Sequence, residues 1–163
     1  MNKLHVGSKL IVAQVMNRAE YIEYRGWKLP DDENGEDEGY FVEHCDGGKS
    51  NHPKHDGYIS WSPEDVFNEA YNPNGQLTFG DALLMLKRGH KVHRAGWNGR
   101  SMFLFLVSGS TFKVNRVPLL GIYPEGTEIN YHAHVDMKTA DGQIVPWLCS
   151  QTDMLAEDWS VEL

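Results

Sequence analysis

Apolar and polar residues alternate in short blocks along this chain, and the blocks predict short strands and helices rather than long ones. The first, "KLIVAQVM" (residues 9–16), is an apolar run that reads as a strand. In "NRAEYIEYRGW" Asn17 stands three residues before Glu20, the spacing of a capping box, and Gly26 supplies a stop; a short helix is predicted between them. "YFVEHC" (40–45) and "YISW" (58–61) are strand-like. "SPEDVFNEAY" reads as a second short helix, with Ser62 as cap, Pro63 at the first helical position and Asp65 completing a capping box. "LPDDENGEDEG" (29–39) is an acidic loop with no means of burying itself, and "DGGKSNHPKHDG" is a second loop.

Asn-Pro and Asn-Gly in "YNPNGQ" (71–76) are strong turn punctuation, so a boundary is expected there, dividing the chain into residues 1–72 and 76–163. After it, "TFGDALLMLKRG" has Thr78 as cap and Asp81 at the third helical position. Phe79, Ala82, Leu83 and Leu86 line one face, and Gly89 ends the helix. "KVHR" is a short strand, "AGWNGR" a loop, and "MFLFLV" a strand expected to be buried on both faces. The next stretch is long and irregular, with one strand near "INYHAHVDMKT" and a hairpin turn at Asp141-Gly142. "IVPWL" is a strand, "SQTDMLAEDW" a turn or single helical turn, and "WSVEL" a terminal strand. The class is α+β: a small antiparallel sheet with short helices in the C-terminal domain, preceded by a small α+β N-terminal domain. Neither half contains an internal repeat.

Composition narrows the chemistry. The 163 residues carry a formal charge of -8, which argues against a broad DNA-binding face but leaves room for a small anionic ligand in a local basic pocket. Two cysteines, Cys45 and Cys149, lie far apart and form no C-x-x-C pair, so no disulfide scaffold is expected and a reducing cytosol is the default. No apolar run reaches the length of a membrane span or signal-peptide core; a cytoplasmic protein is expected.

Two histidine groups resemble metal sites. "HAHVD" places His132, His134 and Asp136 two apart, which on one strand would share a face and meet one metal, as in a metal-dependent hydrolase or phosphodiesterase. The position after the Asp is Met137 rather than a further His, and no second ligand cluster follows. The favoured reading is therefore strand histidines that face solvent or a neighbouring subunit. "HCDGGKSNHPKH" offers His44, Cys45, His52 and His55, but a Cys2His2 finger would need a second Cys, and surface histidines are the plainer reading. No P-loop, nucleophile elbow or dinucleotide motif is present, no catalytic residue is assigned, and no cofactor is expected.

What remains is "HRAGWNGR" and "VPWLCSQTDMLAEDW". An indole face stacks on a nucleobase, and an Arg beside it grips a phosphate with two prongs. Ser150, Thr152 and the backbone N–H groups of a helix start can hold further phosphate oxygens. Trp97, bracketed by Gly96 and Asn98-Gly99, has the context of a binding loop, whereas Trp159 beside the terminal strand reads as core.

"LTFGDALLMLKRGHKVHRAGWNGRSMFLFLV" followed by "LLGIYPEGTEINYHAHVDMKTADGQIVPWLCSQTDMLAEDW" resembles the second Thoeris anti-defence family of phage proteins, over nearly all of residues 77–163. The Arg-x-Gly-Trp loop and the Trp-x-x-Ser-x-x-Asp-x-Leu-Ala-x-Asp-Trp ending carry the likeness. It implies a non-enzymatic sponge that sequesters cyclic ADP-ribose isomers without cleaving them. Some members also take up cyclic oligonucleotides of the CBASS defence system. It further implies a homotetramer with pockets where protomers meet, and no DNA or membrane partner. Carried over by position, Trp97 is the pocket Trp that stacks on adenine, and Arg94 is a phosphate contact or loop-ordering residue. Asn98, Trp147, Ser150, Thr152 and Asp153 are further ligand-binding candidates, and no residue is assigned to a metal. Residues 1–72 resemble a small phage accessory module to which no chemistry is assigned; a partner surface and DNA mimicry are alternatives to a solvated loop for its acidic stretch.

Overall fold

The computed structural model describes residues 3–5, 7–99 and 101–163. The chain divides into two compact units, Met1–Tyr71 and Asn72–Leu163, and the class is α+β.

The first unit contains β1 (Ile11–Val15), α1 (Arg18–Tyr24), β2 (Gly39–His44), β3 (Ile59–Pro63) and α2 (Glu64–Ala70). The strands form an antiparallel sheet in the order β1-β2-β3, with Ala13 opposite Val42 and Val42 opposite Ser60. Neighbouring strand residues point to opposite faces. Phe41 accordingly meets Tyr21 and Tyr24 of α1, while Tyr40 stacks on Phe67 of α2 with centroids 4.0 Å apart. Tyr21, Phe41 and Ile59 form the core, with Met16, Tyr24 and Trp61 packed against it.

Asn17 caps α1 as expected. Its side chain accepts from the Glu20 N–H at 2.8 Å, and Glu20 accepts from the Asn17 N–H at 2.8 Å. The expected cap of α2 does not form. Pro63 completes β3, opposite Gly39, and itself takes the N-cap place without a side-chain bond, so Ser62 belongs to the strand and the helix begins at Glu64. The acidic loop is better anchored than its composition implies. The carbonyls of Asp37 and Gly35 accept from the N–H groups of Arg18 and Ala19, donors in the first turn of α1 that have no partner inside the helix. Arg18 also donates to Glu33 at 2.5 Å.

The second unit contains α3 (Phe79–Lys87), β4 (Lys91–Arg94), β5 (Phe103–Val107), β6 (Ser110–Lys113), β7 (Glu128–Tyr131), β8 (His134–Lys138), β9 (Ile144–Pro146), α4 (Gln151–Met154) and β10 (Trp159–Glu162). Five strands pair antiparallel in the order β10-β4-β5-β8-β9, and β6 and β7 form a separate hairpin. Helix α3 starts at the expected capping box of Thr78 and Asp81 and is followed by Gly89 at φ 91°. Its buried residues are Ala82, Met85 and Leu86, so Met85 takes the core place expected of Leu83. The helix packs on β4, β5 and β10, whose Val92, Leu104 and Trp159 are all 0% exposed. Burial of each large side chain stabilises the unit by roughly 1.5–3 kcal/mol.

Strand β5 is not sealed on both faces. Leu104 alone is fully buried, while Phe103, Phe105 and Val107 keep part of their surface. The single strand expected over "INYHAHVDMKT" is two. β7 pairs with β6, β8 pairs with β5, and His132 and Ala133 form the passage between sheets. Gly109 lies against that passage: a Cβ there would sit 2.8 Å from the Tyr131 carbonyl oxygen and 3.2 Å from the Ala133 nitrogen. The Asp141-Gly142 turn joins β8 to β9, with Gly142 at φ 89°. No helix among the described residues is long and apolar enough to cross a membrane.

Candidate ligand-binding site

The end of β4, the loop that follows it, α4 and the start of β10 meet around one buried indole. Trp159 opposes Arg94 in the ladder between β10 and β4, and its backbone bonds reciprocally with Leu77 at 3.0 and 3.1 Å. Phe79, Trp97 and Trp147 surround its ring at centroid distances of 5.6, 5.5 and 6.3 Å. The contacts of Trp97 and Trp147 are edge-to-face, an arrangement the ring quadrupoles favour. Trp159 is the core residue its setting predicts, and Trp97 and Trp147 keep part of their surface in solvent.

Polar bonds fix the Trp97 ring from below. Asp153 Oδ1 accepts from Arg94 Nη1 at 2.6 Å and from Trp97 Nε1 at 3.0 Å. Its Oδ2 accepts from the Ser150 hydroxyl at 2.6 Å, and its backbone carbonyl accepts from Trp159 Nε1 at 3.1 Å. Ser150 caps α4 by accepting from the Asp153 N–H at 3.0 Å. Asp158 completes the frame: Oδ1 accepts from Arg94 Nε at 2.7 Å and Oδ2 from the Gly96 N–H at 2.7 Å. The guanidinium carbon lies 5.8 Å from the centre of the Trp159 ring. Gly96 is needed for space, since a Cβ there would stand 2.9 Å from Asp158 Oδ2 and 3.2 Å from Arg94 Nη2.

The electrostatics agree with this geometry. The hydrogen bond to Asp158 raises the Arg94 pKa against the opposing effect of burial, and Asp153 adds to the rise. Burial pushes the Asp153 carboxyl up, but hydrogen bonds from Ser150, Trp97 and Arg94, with the Arg94 charge, outweigh it and hold the group below its ordinary value. The Arg94 hydrogen bond holds Asp158 low against a smaller burial effect, helped by the Gly96 N–H. Burial and the Asp153 charge push the neighbouring Cys149 thiol up, away from nucleophilic thiolate.

Of the residues singled out in the sequence, Arg94, Trp97, Ser150 and Asp153 come together in one network, and Trp147 joins through Trp159. Asn98 and Thr152 are exposed and, among the described residues, take no part in it. Arg94 has the geometry of a loop-ordering residue, because two carboxylates already engage it. Asp158 was missed. It stands in the quoted ending, as the Asp before Trp159, but was given no role there, because its partner is 64 positions away, beyond any periodicity.

The histidine groups do not assemble. His132 lies between strands, and the His134 ring lies 3.7 Å from Asp136 and 3.1 Å from the His132 carbonyl. In the first unit the two ring nitrogens of His55 hydrogen-bond to Glu43, from Nδ1 at 2.7 Å, and to the Tyr24 hydroxyl, from Nε2 at 2.5 Å. His52 stacks on Tyr24, His44 lies against Tyr58, and Cys45 is exposed. Among the described residues no group of three or more His, Cys, Asp or Glu could hold a metal ion.

The whole network falls inside residues 77–162, which match the Thoeris anti-defense 2-like domain. A protein of Bacillus phage SP01 described as Thoeris anti-defense 2 is 43% identical over 86 residues, taking in 53% of this chain and 94% of the relative. Through that second unit, the chain belongs to the Thoeris anti-defense 2-like family.

Proposed function

We propose that this phage anti-defence protein works as a sponge: it binds a nucleotide-derived immune signal of the cyclic ADP-ribose class in the host cytoplasm and holds it without cleaving it. Family membership supports the defence context. One observation supports binding at this place. The partly exposed Trp97 indole is fixed by Asp153 and the buried Trp159, so a flat surface is presented before any ligand arrives. A pre-ordered ring loses little entropy on binding, and base stacking on it is worth about 1–3 kcal/mol. Trp147 borders the same cluster, and the exposed Asn98 and Thr152 lie within reach in sequence of its two sides.

Self-association into a tetramer, with pockets where protomers meet, belongs to the same reading. Phe103, Phe105 and Val107 alternate with the buried Leu104, so they share the sheet face opposite α3 and offer apolar surface for a second copy. Cyclic oligonucleotides are a second ligand class to be screened beside the cyclic ADP-ribose isomers.

The test is capture and recovery. Purified protein is incubated with each isomer, separated from free ligand, denatured, and the released compound analysed by mass spectrometry. Intact ligand in stoichiometric amount is the expected result. Hydrolysed product would replace the sponge by an enzyme and return attention to His132, His134 and Asp136. Light scattering at micromolar protein should give a tetramer, and a monomer would remove the shared pocket.

A further inference from the structure

Among the described residues, the cation beside Trp97 is Arg94, and it is already engaged. Arg94 Nη1 and Nε are bound to Asp153 and Asp158, and only 12% of its side chain remains exposed. Among the described residues, these two carboxylates and one guanidinium sum to a single net negative charge at the foot of the indole. Two of the nearby backbone donors are taken as well. Gly96 N–H goes to Asp158 and Asp153 N–H goes to Ser150. The indole N–H is spent on Asp153. A phosphate arriving here would meet net negative charge, and it would have to strip Arg94 from two partly buried carboxylates, leaving them unpaired. Free of such conflict is the face of the Trp97 ring, which is uncharged.

Resting on the capture reading above, we infer that Asp153 and Asp158 are positioning and specificity residues. Asp153 holds the Trp97 ring directly, Asp158 holds Arg94 and the Gly96 N–H beside it, and by their charge both keep anions off the ring. The loop thus accepts the uncharged base end of the signal, and the phosphates are held away from Arg94.

The inference is tested on the full chain, labelled with nitrogen-15, by following the Trp97 indole N–H and Arg94 Nε–H resonances. Millimolar adenosine should move the Trp97 signal in the wild type, and millimolar inorganic pyrophosphate should leave both signals in place. Asp158→Asn removes one charge and weakens the hold on Arg94 Nε; pyrophosphate should then move the Arg94 signal, a gain that a merely structural role does not give. Asp153→Asn is the second variant, because its amide oxygen still accepts from Trp97. Movement of Arg94 by pyrophosphate in the wild type, a Trp97 signal indifferent to adenosine, or folded variants that gain no response to anions would each overturn the inference. Should cyclic ADP-ribose isomers fail to bind while adenosine still moves Trp97, the choice of signal fails and the reading of the loop stands.

Discussion

Gly96→Ala is the sharpest perturbation of the frame, because it adds one methyl group and removes no named side chain. Gly96 is not in the left-handed region, so alanine meets no backbone penalty and the effect is steric. The new Cβ would stand 2.9 Å from Asp158 Oδ2, which is itself bound to the Gly96 N–H at 2.7 Å. The carboxylate must move, and it is tied on its other side to Arg94 at 2.7 Å. One charged hydrogen bond is therefore lost or stretched, worth roughly 1.5–3 kcal/mol. Replacing glycine restricts the unfolded chain and returns about 0.4–1 kcal/mol. The net expectation is a loss of about 1–2 kcal/mol, or about 4–16 °C in the melting temperature of a unit this size. Ligand affinity should fall more than the melting temperature alone explains, since the ring loses its fixed tilt. Calorimetric melting without ligand, followed by titration calorimetry on the folded variant, measures both. An unchanged melting temperature together with unchanged affinity would refute the reasoning, because it would mean that Asp158 swings aside freely and the frame is not rigid.

Trp97→Ala should lower affinity about five-fold to over a hundred-fold by removing the stacking surface, and should lower the melting temperature less than Trp159→Ala, whose ring is 0% exposed; the reverse order of melting temperatures would make Trp97 the core residue. Thr78→Ala removes the capping box of α3 and should cost about 1 kcal/mol of unit stability, read as a lower melting temperature with ligand affinity unchanged. Asp153 and Asp158 are held below the ordinary 3.8, so their contribution to folding is whole above that value and is lost as pH falls through their lower folded values; acid unfolding of the second unit, followed by tryptophan emission, should shift to higher pH in Arg94→Gln. Asn51→Ala removes both bonds, each 2.8 Å, that its side chain makes with the backbone of the buried Ile59, and should cost the first unit about 2 kcal/mol or more, seen as a lowered melting transition with ligand capture intact.

Local chemistry was legible in the sequence, and long-range pairing was not. The caps at Asn17 and Thr78 could be read because a capping box closes over three residues. The same pattern misled at Ser62, where pairing of β3 with β2 carries the strand through Pro63 and overrides the local preference. Trp97 and Arg94 were found from glycine context and residue type. Their bonds to Asp153 and Asp158 span 56, 59 and 64 positions, and no periodicity reports such contacts. "HAHVD" read as one strand because alternation looks the same whether the chain stays in one sheet or passes between two. The acidic loop looked unanchored because its hold on α1 runs largely through backbone carbonyls, which side-chain composition does not register.

The convergence of Arg94, Trp97, Ser150 and Trp159 on Asp153 also constrains how this protein can evolve. Residues sharing one acceptor do not change independently, because the effects of their substitutions fail to add. A drifting lineage would have to cross unstable intermediates to remodel any member of that set. Asn98 and Thr152 stand outside it, exposed, on either side of the same indole loop and helical turn. Adaptation to a new host's signal is therefore expected to accumulate at such peripheral positions, while the frame that holds the ring persists unchanged.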